Sequence, residues 1–133
     1  MKLKIRRSQN SGMMGKVTFI LDVRAELTSE ETELVRKYQL GKNLVYSSEQ
    51  ADRNAAAAQT GNIGALGSMF LDRMLKRSFT VNDLVNGQHI ECKDLAETIA
   101  TEEQVRTACG ALKQYLAAAA LFNGEEEVVT VAA

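Results

Sequence analysis

The only histidine of the chain lies in His89-Ile90-Glu91-Cys92, beside one of just two cysteines. Any imidazole-dependent nucleophile or base must therefore use His89. A histidine and a glutamate two residues apart are half of a known zinc arrangement. The Pro-Cys-x-x-Cys half that completes it is missing from a chain with no proline. In a strand, positions 89 and 92 point to opposite faces and do not share one ion. Cys92 and Cys109 are expected as small buried thiols. Cys92 would need a neighbour that lowers its pKa, and Lys93 falls on the other strand face. Neither a Gly-x-Ser-x-Gly elbow nor a Ser-x-x-Lys pair occurs.

Two further patterns fail on spacing. Gly12-Met13-Met14-Gly15-Lys16-Val17 is too short for a phosphate loop, no Ser or Thr follows the lysine, and a strand pattern follows where a helix should begin. A hairpin loop is the better reading. Asp22 and Glu26 share a strand face with Arg24 between them, which reads as an ion-pair ladder. No catalytic residue, metal or cofactor is assigned, and the balance is against an enzyme.

Two surfaces carry positive signals. Lys2, Lys4, Arg6, Arg7 and Lys16 gather on the first hairpin, and a basic ribbon can lie along nucleic-acid phosphates. No aromatic is interleaved for base stacking, and a lysine-guarded strand edge is the plainer account. Met69, Phe70, Leu71, Met74 and Leu75 form an apolar stripe, opposite Asp72, Arg73, Lys76 and Arg77. Such a stripe is ordinarily core. Behind Gly61, Gly64 and Gly67 it could instead dock on a second copy or a protein partner, the glycines of 60–68 acting as a mobile hinge.

The elements that position these residues are mostly readable. Lys2 to Arg6 alternates, with Leu3 and Ile5 on one face. Val17, Phe19, Leu21, Val23, Ala25 and Leu27 hold strict period two, the strongest strand signal in the chain. Ser8 to Gly15 reads as the connecting loop. An antiparallel pairing of Ile5 with Phe19 would set Lys2 across from Asp22 and keep both apolar rows on one face. Thr28 with Glu31 is a capping box opening a helix that Gly41 stops, with Leu34, Val35 and Tyr38 on its apolar face.

Leu44 to Tyr46 reads as a brief strand, Ser47 or Ser48 as the cap of a helix through Ala58, and Met69 to Arg77 as a short helix. Phe79 to Val81 and Gln88 to Cys92 are strand candidates, joined by a tight Asn86-Gly87 turn or a wider turn over Asn82 to Gly87. Asp94 with Glu97 and Thr101 with Gln104 are two more capping boxes. The clearest helix runs from Glu102 to Phe122, with Val105, Ala108, Leu112, Tyr115, Ala119 and Phe122 on one stripe. Val128 to Val131 reads as a last strand.

This order predicts an α+β fold: one two-layer domain over 1–133, its mostly antiparallel sheet backed by a long C-terminal helix. The 133 residues suit one domain, and 45% apolar with 25% charged residues excludes a disordered or fibrous chain. A formal charge of -1 gives no global field toward nucleic acid or membrane. No apolar run is long enough to cross a bilayer, and no apolar block follows the basic start as a secretory signal requires. Two cysteines suit reduced thiols in the cytoplasm. The resulting expectation is a non-enzymatic protein-interaction or self-associating domain, forming a homo-oligomer or binding a protein. The alternative is a nucleic-acid-binding accessory protein using the basic hairpin.

Overall fold

The period-two row of the second strand decides the architecture, because it needs a layer to cover it. The computed structural model describes residues 1–47 and 77–132. β1 (Lys2–Ser11) and β2 (Val17–Glu26) form an antiparallel hairpin, and β5 (Gln88–Cys92) joins the other side of β2. Leu21, Val23, Ala25, Ile90 and Cys92 are buried on the inner face. A second, two-stranded sheet pairs β3 (Leu44–Ser47) with β4 (Ser78–Thr80). α1 (Ser29–Lys37) follows β2, and α2 (Val81–Asn86) separates β4 from β5. The long α3 (Leu95–Ala120) lies under both sheets, burying Val105, Ala108, Cys109, Leu112 and Leu116. This is the expected antiparallel α+β domain backed by a long helix.

Ile5 faces Val23 and Lys2 faces Glu26, four residues along from the expected register. The cause is the turn. β1 continues to Ser11, and Gly12 N–H donates to the Lys16 carbonyl at 2.7 Å, closing the hairpin over Met13–Gly15. Met14 and Gly15 both take positive φ, 69° and 74°, so the chain reverses in five residues. Because the displacement is even, Leu3 and Ile5 stay on the face of Leu21 and Val23.

Local capping places the helices. At α1 the Thr28 hydroxyl accepts from the Glu31 backbone N–H at 3.2 Å, and the Glu31 carboxylate accepts from Thr28 N–H at 3.0 Å. The tight hairpin at Asn86-Gly87 does not form. Thr80 and Asp83 make a reciprocal capping box, and residues 81–86 coil so that Val81 and Leu84, three apart, are both buried. The tight hairpin would have set Asp83 against Ile90. Asp94 caps α3, accepting from Glu97 N–H at 2.7 Å, while the Glu97 carboxylate takes Lys93 N–H instead of completing the box. α3 thus begins before Glu102, and Thr101 and Gln104 are buried within it. Residues 128–131 form no strand; their side chains are exposed. The expected hinge at 60–68 and the helices through Ala58 and from Met69 lie outside the described residues.

Candidate interaction surfaces

The sheet separates the residues that could have formed a catalytic centre. Asp22 and His89 are register partners on its outer face, and His89 Nδ1 lies 2.6 Å from Asp22 Oδ1. Glu91 is 3.9 Å from Nε2 of the same ring. Cys92 is buried on the opposite face, its Sγ 3.9 Å from the Thr101 hydroxyl. Cys109 is buried too, and burial pushes its thiol pKa up, away from the reactive thiolate. Imidazole and thiol therefore never meet. Among the described residues no group of three His, Cys, Asp or Glu side chains could hold a metal ion.

The basic candidates divide. Lys2, Lys4 and Arg6 alternate along the outer face of β1, and Lys4, Arg6, Asp22, Arg24 and His89 line an open groove of about 370 Å³. Lys4 pairs with Glu26, holding that carboxyl below its usual range, and Arg24 approaches the same carboxylate at 3.8 Å. Of the expected Asp22–Arg24–Glu26 ladder the structure shows the Arg24–Glu26 approach, reinforced by Lys4, while Asp22 is turned to His89. Arg7 faces the other way, reaching Glu102 of α3 at 2.7 Å, and lowers the Glu102 carboxyl pKa. Lys16 stands exposed at the hairpin turn.

Among the described residues, apolar side chains exposed outside the core include Leu44, Leu95, Ile99 and Leu121 as well as two clustered features. Met13 and Met14 project from the turn, 91% and 102% exposed. At the far end of α3, Tyr38, Leu40, Tyr115, Ala118, Ala119 and Phe122 line an open apolar groove, again of about 370 Å³. Comparison of the chain with protein-family models, curated proteins and solved structures returns no match.

The hairpin fixes where these features stand. Arg7 reaches Glu102, and the stretch from Arg7 to Gln9 borders a hollow closed on the helix side by the earlier residues Thr98 and Leu95. β1 thus runs antiparallel to α3, and its turn lies beyond the start of that helix. Leu95 and Tyr115 are separated by about 30 Å of helix. Among the described residues, the methionine turn and the aromatic groove thus lie toward opposite ends of α3.

Sequence reasoning missed both features. Met13-Met14 was hidden within a failed phosphate-loop pattern, and Tyr115 and Phe122 were counted as core. The partner-binding candidates Met69, Phe70, Leu71, Met74 and Leu75 lie outside the described residues. Among the described residues no helix is long and apolar enough to cross a membrane.

Proposed function

We propose that this chain is a non-enzymatic interaction module that pairs with a second copy of itself. The reading rests on one observation: an exposed methionine turn at one end and an open aromatic groove at the other. Thioether sulfur packs favourably against aromatic rings, and methionine adapts to irregular surfaces. A chain cannot fill its own groove with its own turn across about 30 Å of helix. Two copies placed side by side in opposite directions satisfy both features twice, as a closed two-fold pair. A formal charge of -1 leaves little repulsion between them. Two buried free thiols favour a reducing compartment such as the cytoplasm. Light scattering should give twice the 14.6 kDa chain mass. Met13→Asp combined with Met14→Asp should return it to the single-chain value. A wild-type mass that stays at one chain up to ~1 mM, where even weak association registers, sinks the proposal.

A second reading is favoured by a charge asymmetry. Met1 to Leu21 contains Lys2, Lys4, Arg6, Arg7 and Lys16 and no acidic residue. A nucleic-acid accessory role on the outer sheet face predicts binding at ~50 mM salt that falls steeply by ~200 mM. Absence of binding at the lower salt ends that reading.

A further inference from the structure

We infer that residues 125–131 of one copy add as a fourth strand to the free edge of β1 in the other copy. The inference rests on the self-pairing proposed above and names the segment that completes it. Among the described residues β1 pairs with β2 alone, so the ten-residue strand has one open edge. An open edge this long is a template for another chain. Among the described residues, one C-terminal segment lies outside every helix and strand. Glu125-Glu126-Glu127-Val128-Val129-Thr130-Val131 follows α3, is exposed throughout, and is rich in the β-branched residues that favour strands.

The two match in one antiparallel register. With Glu127 opposite Arg6, Glu126 falls opposite Arg7, Val128 opposite Ile5 and Thr130 opposite Leu3. Glu126 and Glu127 then meet arginines, Glu126 sharing Arg7 with Glu102, and Val128 extends the half-buried row of Leu3 and Ile5 at the rim of the core. Val129 and Val131 lie along the aliphatic stems of Lys4 and Lys2. Strand addition of this kind draws its affinity from main-chain hydrogen bonds and its selectivity from alternate side chains.

Direction separates a second copy from the chain's own edge. Because β1 runs antiparallel to α3, a segment folding back from Leu121 along its own β1 would run parallel to that strand. A second copy whose turn sits in the groove by Phe122 presents its Ser11 end first, and the segment then runs antiparallel. The lengths agree as well. Glu126 can stand ~13 Å past Phe122, and the partner's Arg7 lies ~20 Å behind its turn. The difference is less than the groove's own length from Tyr115 to Phe122, ~10 Å.

The test is charge exchange between copies. Arg6→Glu and Glu127→Lys each set like charges against each other twice per pair, and each alone should weaken pairing roughly ten- to a hundredfold. An equimolar mixture of the two variants should recover wild-type pairing, because every contact then joins opposite charges. Backbone hydrogen exchange should slow at 128–131 as wild-type concentration rises through the pairing transition. If the variants pair like wild type and those amides stay unprotected in the pair, strand addition is overturned while self-pairing stands. If wild type never pairs, both fall.

Discussion

Phe122→Asp isolates the groove from the fold. Phe122 is 77% exposed and lies past the last residue of α3, so the single chain loses little when it changes. Exposed substitutions of this kind shift stability by no more than ~0.5 kcal/mol. Fully burying a phenylalanine is worth ~1.5–3 kcal/mol, and about three-quarters of that is still to be gained on pairing. The proposed two-fold pair would contain the contact twice, for a total of ~2.3–4.5 kcal/mol. Pairing should therefore weaken by a factor of ~45 to 2,000. Sedimentation velocity over a concentration series measures the factor, and thermal melting of the single chain measures the fold.

Met14→Asp should act on the same contact, so the double variant should fall well short of the summed effects. Leu112→Ala is the opposite control. Leu112 is fully buried, and its truncation should cost the fold ~2–5 kcal/mol with no direct effect on the groove. A Phe122→Asp protein that pairs like wild type refutes the assignment of the groove. So does one whose single chain melts as early as Leu112→Ala, since Phe122 would then belong to the core.

Three other outcomes follow from the structure. Backbone hydrogen bonding by Thr28 depresses the Glu31 carboxyl, and hydrogen bonding by Arg7 depresses that of Glu102, each from an ordinary value of 4.5. The unfolded chain takes up these protons at higher pH than the folded one, so their stabilisation is complete above that value and is lost as pH falls through the depressed ones. Acid denaturation curves of Glu31→Gln and Glu102→Gln should show correspondingly shallower acid limbs. Gly87 ends α2 with φ at 94°, so Gly87→Ala should lower stability by ~1–2 kcal/mol in urea unfolding. Cys92 and Cys109 should resist iodoacetamide in the native protein and react together on unfolding, as read by mass spectrometry.

Local signals were the most legible in the sequence. The β2 row, with every second residue apolar, and the Thr28–Glu31 capping box depend on neighbours within a few positions. The register of the first hairpin depended on the left-handed backbone at Met14 and Gly15, which composition does not announce. Around Asn86-Gly87 the turn signal pointed to a hairpin, whereas the Thr80–Asp83 box and the burial of Val81 and Leu84 form a helical turn instead. On α3 the core stripe steps through Ala108, Leu112 and Leu116, four residues at a time. Continuing instead from Leu112 to Tyr115, Ala119 and Phe122 assigned the groove to the interior. Val128 to Val131 have the composition of a strand, but pairing requires a free edge within reach and in the right direction. The separation of His89 from Cys92 was legible, because alternation along a five-residue strand fixes it.

In the proposed pairing, the opposed directions of β1 and α3 make the methionine turn a plug and the aromatic groove a socket facing opposite ways. Inverted neighbours exhaust both fittings after two molecules. Neighbours stacked nose to tail always leave one of each unfilled, and the same chemistry then grows a thread without a natural end. On that pairing, whatever aligns two copies at first contact decides between a finite particle and a polymer.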